Sequence, residues 1–147
     1  MNDPIGKNLY SATRGGGAFR NGERIRVNTE SSLKNTFLDV EGTGIPGYSK
    51  IRVFEMLKKE GAKAYKLMSF MYGAIQVSNG KFSGSVYVGP EDLEVASLKI
   101  ITEEAGGKAT DLEGKERRYD QEGLGFVISN GFVHEELLGL ITATKRI

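Results

Sequence analysis

A chain of 147 residues, 39% apolar and 27% charged, has the length and composition of one globular domain with a packed core. Its net charge of +1 gives no footprint for nucleic acid or an anionic membrane, and the absence of cysteine removes disulfides and thiolate metal sites while fitting a reducing interior. No apolar run approaches a membrane span and no signal peptide is visible at Met1, so the expected location is cytoplasmic.

Residues 1–28 read as two or three short strands with tight turns. Arg14-Gly15-Gly16-Gly17 is a turn or bulge, with phosphate cradling by its backbone N–H groups as the lesser alternative. Asn21-Gly22 is a strong hairpin signal joining 17–19 to 24–27. After a polar connection (28–35), residues 36–40 form a strand, and a Gly-Thr-Gly-Ile-Pro-Gly loop leads to a helix over about 48–60 with Ile51, Phe54, Met56 and Leu57 as its buried stripe. Residues 62–68 are a strand. Ser69 can cap the next helix, 70–78, which stops at Asn79-Gly80.

Residues 82–88 alternate with period two and lead into the helix around which the chain is organised. Pro90 suits its first position, and Glu91, Asp92 and Glu94 crowd its first turn, where the helix dipole favours acid. Leu93, Val95, Ala96, Leu98, Ile100, Ile101 and Ala105 spread apolar surface over more than one face, so this helix is expected to be covered on two sides. Gly106-Gly107 ends it, 108–112 is a short strand, and 125–129 a buried one. Asn130 caps a last helix holding Phe132, Leu137, Leu138, Leu140 and Ile141. Alternating strands and helices make an α/β layered domain. The inward phases predict a core of Phe37, Val53, Phe54, Leu57, Ile75, Val77, Val86, Val88, Val95, Leu98, Ile101, Phe126, Ile128, Leu137 and Ile141. His134 reads as solvated rather than as a ligand or base, and Arg117-Arg118-Tyr119 as solvated surface, with contact to an anion as the alternative.

Glu103 to Gly114, Glu-Glu-Ala-Gly-Gly-Lys-Ala-Thr-Asp-Leu-Glu-Gly, resembles the C-terminal signature of the inositol monophosphatase family, metal-dependent sugar phosphatases in which a Trp-Asp-x-Ala-Ala helix runs into Glu-Ala-Gly-Gly and a Thr-Asp-x-x-Gly turn. Asp3-Pro4, Leu9-Tyr10, Gly17-Ala18-Phe19, Asn21-Gly22, Ile25 and Val27 are similar to an earlier segment of the same family, and Val-Ile-Ser-Asn-Gly with His-Glu-Glu-Leu-Leu to its closing strand and helix. The resemblance implies the C-terminal half of an α-β-α-β-α sandwich, a mixed sheet flanked by helices. Residues 1–147 are then a single C-terminal domain without the N-terminal half that supplies most of the metal ligands.

The family's Trp-Asp falls on Leu93-Glu94, so the resemblance implies Glu94 as the metal ligand, with Asp92 as the other candidate; first-turn acids that only favour the dipole are the alternative. The family's Gly-Ser/Thr-Ala loop falls on Met68-Ser69-Phe70, and Tyr87 stands where the family has a Glu that contacts substrate hydroxyls. Ser69 and Tyr87 are therefore the substrate-side candidates, and no catalytic residue is assigned. The implied activity is Mg-dependent hydrolysis of a small phosphorylated polyol or sugar. Mg is expected only where the missing half is supplied, because one carboxylate holds it too weakly. The chain alone is expected to be inactive; a non-catalytic binding or assembly module, or one chain of a split phosphatase, is the alternative. An exposed apolar surface or unpaired sheet edge is expected where an N-terminal-half chain or a homodimer partner would lie.

Overall fold

The computed structural model describes residues 1–3, 6–90, 95–117 and 123–145. β1 (Asn2–Asp3), β2 (Asn8–Thr13), β3 (Gly17–Arg20) and β4 (Glu23–Ile25) make an antiparallel sheet in that order. β5 (Phe37–Gly42), β6 (Lys63–Tyr65), β7 (Gly84–Val88), β8 (Lys108–Thr110) and β9 (Gly125–Ser129) make a mixed sheet, ordered β6-β5-β7-β9-β8. β5 runs parallel to β6 and β7, while β9 is antiparallel to both of its neighbours.

Four helices cover the mixed sheet. α1 (Lys50–Lys59) and α4 (His134–Ala143) lie on one face, where Val53, Leu57, Leu137 and Ile141 pack on Leu38, Val40, Val86 and Val88. α2 (Phe70–Ser78) and α3 (Val95–Glu104) lie on the other, where Ala74, Leu98 and Ile101 meet Tyr87, Phe126 and Ile128. The hairpin sheet closes over α3 through Tyr10 and Ala18. The layers are thus helix, sheet, helix, sheet, and α3 is covered on two sides as its apolar spread requires.

Local chemistry explains the ends of these elements. Asn21 (φ 51°) and Gly22 (φ 83°) both adopt the left-handed conformation of a two-residue hairpin turn. Ser49 and Ser69 accept from Arg52 N and Tyr72 N, each at 3.4 Å, and so cap α1 and α2. Gly106 (φ 93°) ends α3, with its N–H on Glu103 O and that of Gly107 on Thr102 O, both at 2.9 Å.

Several expectations are corrected. Residues 1–25 hold four strands, not two or three, because the described start of the chain pairs with β2. α1 begins at Lys50, and Tyr48 is buried in the preceding loop. Ile51 is 64% exposed and Phe54 and Met56 are only half-buried, because α1 lies at the β6 edge and buries the narrow stripe of Val53 and Leu57. Phe37 is exposed at the open start of β5, and Phe132 lies exposed before α4. Asn130 caps the turn ahead of α4, accepting from Phe132 N and Val133 N, rather than the helix itself. The other thirteen core residues are buried.

Candidate functional site

In an open α/β sheet, ligands bind outside the carboxyl ends of the strands. Here the ends of β5, β6 and β7 converge with the N-terminus of α2. Gly42 (φ 117°) ends β5, and a Cβ there would lie 2.1 Å from Val88 O, so only glycine lets β5 close on β7. Gly44 N then donates to Val88 O at 3.0 Å, and Lys50 Nζ donates to Gly42 O. These bonds hold the 42–44 loop against the end of β7 and the start of α1.

That turn is strained. Met68 has φ 61°, which a side chain of its size seldom adopts, and it is 77% exposed. Two acidic residues of β5 hold it from below. Glu41 accepts from Met68 N, and Asp39 accepts from Leu67 N at 3.2 Å and from the Ser85 hydroxyl at 3.1 Å. Asp39 is fully buried, and α2 passes so close that a Cβ on Gly73 would lie 2.0 Å from Asp39 Oδ2. Burial, reinforced by the Glu41 charge, raises the Asp39 pKa to about 7 against the pull of the Leu67 and Ser85 donors. The sequence reading missed both acids. Their signal was present as carboxylates at 39 and 41 inside an otherwise apolar strand.

The predicted site residues divide. Ser69 is exposed at the α2 N-terminus, where its hydroxyl accepts from Tyr72 N. Tyr87 lies at the same end of the sheet but is buried, its ring 4.8 Å from Phe70 and 5.5 Å from Phe126. Asp92 and Glu94 lie outside the described residues, as do Arg118 and Tyr119. Arg117 is buried rather than solvated; it packs so tightly on Gly123 that a Cβ there would overlap its guanidinium.

His134 is also corrected. It is fully buried, with Nδ1 2.8 Å from the Ser129 hydroxyl and Nε2 2.9 Å from the Thr110 hydroxyl. Both ring nitrogens are taken, and burial with nearby Lys108 lowers its pKa to about 4, so it is a neutral core histidine. The triple glycine is a turn whose N–H groups are occupied. Glu104 accepts from Gly15 N at 2.7 Å and Gly17 N at 2.8 Å, so an internal carboxylate fills the cradle that a phosphate would need.

Magnesium requires several hard oxygens in strict geometry. Among the described residues no group of three His, Cys, Asp or Glu could hold a metal. Asp39 and Glu41 already spend oxygens on Leu67, Ser85 and Met68. The described residues do not by themselves fit a magnesium site, and no step through the metal follows from them. A cleft of 710 Å³ between Arg14, α3 and β8 offers no better centre, since Lys99 there is paired with Glu103 and Glu116. No described helix is long and apolar enough to cross a membrane.

The description of the inositol monophosphatase family matches residues 1–146. A fructose-1,6-bisphosphatase/inositol-1-monophosphatase of Thermotoga maritima is 33% identical over 137 residues, covering 93% of this chain and 51% of the relative. The solved Thermotoga maritima IMPase superposes with a TM-score of 0.85 at 29% identity, over 97% of this chain and 54% of the other. An inositol monophosphatase from Anabaena (Nostoc) sp. PCC 7120 shares the fold, with a TM-score of 0.87 at 23% identity over 97% of this chain and 57% of that one. The chain therefore spans about half the length of the relatives it matches.

Proposed function

The chain belongs to the inositol monophosphatase family, and on that premise we propose that it corresponds to the C-terminal half of a Mg-dependent phosphatase acting on a small phosphorylated polyol or sugar. The observation that carries this reading is the match across residues 1–146 combined with coverage of only about half of each relative. The family is generally metal-dependent, and the described residues bring together no cluster of three ligands from which a two-metal centre could be built. Residues 1–147 are then inactive by themselves and act together with an N-terminal half, in the cytoplasm.

In this reading Glu94, or Asp92, contributes one carboxylate to a metal whose other ligands come from the partner half. Ser69 offers a hydroxyl to the substrate, and Tyr87 shapes the wall beside it. Gly42, Asp39 and Glu41 act as positioning residues: they fix the turn from which Ser69 projects. A non-catalytic binding module of the same fold is the second reading, favoured by the consumption of the Leu67 and Met68 N–H groups by internal carboxylates.

The test supplies a matching N-terminal half in trans and follows phosphate release from inositol 1-phosphate with Mg²⁺, alongside Mg²⁺ binding. The pair is expected to turn over. Glu94→Asp should raise the activity by shortening the arm to the metal, and Glu94→Gln should abolish it. Turnover by the isolated chain that Glu94→Gln removes would overturn the half-site reading. A pair that assembles without binding Mg²⁺ or releasing phosphate would favour the module.

A further inference from the structure

The face of β6 turned toward α2 is uncovered. Asp39 lies under α2, so Phe37 on the same strand faces that side, and Tyr65, paired in register with Asp39, faces it too. α2 packs over β5, β7 and β9, while α1 takes the opposite face of β6. Tyr65 is left 44% exposed and Phe37 39% exposed, and the two stack at 5.8 Å, with Phe82 5.9 Å beyond Phe37. Three clustered rings at an open sheet edge form an apolar seat for a side chain of an added strand.

The strand edge is open as well. Lys63 N donates to Thr36 O at 2.8 Å, and the alternation of a parallel ladder turns the N–H and C=O of Ala64 outward. Lys63 and Lys66 flank these groups on opposite faces: Lys63 Nζ lies 5.0 Å from the centre of the Phe37 ring, and Lys66 lies beside Ile51 and Phe54 of α1. Lys34 and Lys81 line a hollow beside Phe37, with Glu30 at its rim. Among the described residues none of these four lysines has an acidic partner.

We infer that this edge binds an extended acidic peptide segment, which adds as a strand beside β6, seats an apolar or aromatic side chain against Tyr65 and Phe37, and meets the lysines with its carboxylates. Strand addition supplies main-chain bonds, and alternate side chains supply specificity. Charge selects this occupant over a second copy of the chain, because edge lysines oppose self-pairing of like strands. The ring geometry selects it over single-stranded nucleic acid. Bases need open ring faces, and the Phe37 face is shared with two stacked rings and an ammonium.

The probe is a short fluorescein-labelled peptide with a central Val-Tyr-Val between pairs of consecutive Glu, so that carboxylates reach both faces of the edge, read by anisotropy at low salt. It is expected to bind, to weaken as salt rises, and to lose roughly tenfold in affinity with Lys63→Glu/Lys66→Glu, whose exposed positions leave the fold intact by circular dichroism. The same peptide N-methylated at alternate residues keeps its charge but cannot add as a strand, and should bind equally poorly. Absence of binding, equal affinity for the N-methylated peptide, or indifference to the charge reversal would overturn the inference. So would tighter binding of an oligouridylate, or a sedimentation dimer abolished by a Tyr65→Glu substitution.

Discussion

Asp39→Asn should change the stability of the protein by an amount that depends strongly on pH. Folding raises the Asp39 pKa from 3.8 to about 7, so between those values the folded chain keeps a proton that the unfolded chain has released. The stabilisation is complete below 3.8 and is lost as pH rises through 7; at 1.36 kcal/mol per tenfold, the loss is about 4 kcal/mol. His134 runs the other way. Its pKa falls from 6.5 to about 4 on folding, so its stabilisation is complete above 6.5 and is lost as pH drops through 4, by about 3 kcal/mol. Between pH 4 and 6.5 the two slopes oppose and nearly offset, so this pair leaves little net pH dependence there. Asn keeps an acceptor for Leu67 N but cannot ionise. The variant should be close to wild type at pH 4, more stable by up to about 4 kcal/mol at pH 8, and should expose the rising His134 slope between. Urea unfolding followed by far-UV circular dichroism at several pH values measures this; the chain has no tryptophan to report by fluorescence. The same Asn-minus-wild-type difference at pH 4 and pH 8 would refute the burial argument. A variant less stable than wild type at pH 8 would mean that the Leu67 and Ser85 donors outweigh the cost of burying the charge.

Gly73→Ala places a methyl 2.0 Å from Asp39 Oδ2; it should cost about 1–3 kcal/mol in urea unfolding, with part of the loss recovered in an Asp39→Ala background. Leu98→Ala empties a fully buried position of α3 between the two sheets and should cost about 2–5 kcal/mol without altering the slope of the urea transition.

The elements whose chemistry is local were legible in the sequence. The Asn21-Gly22 turn, the Ser69 cap, the Gly106 stop and the two-sided apolar spread of α3 depend on neighbours within a few residues, and the sequence contains those neighbours. The family motif was legible for the same reason, being a contiguous run from Glu103 to Gly114. His134, Arg117 and Phe37 were misread because burial is decided by what distant segments bring. The hydroxyls of Thr110 and Ser129 enclose His134, Gly123 closes on Arg117, and the lack of a helix over one face of β6 leaves Phe37 open. Asp39 shows the division most sharply. The sequence placed a carboxylate on a strand, but its raised pKa comes from burial under α2, which crosses at Gly73 thirty-four positions later, and the donors that pull it back, Leu67 and Ser85, come from either side of that helix. Periodicity reports which face a side chain takes; only the packing of non-neighbouring segments sets the solvent and the donors that it meets there.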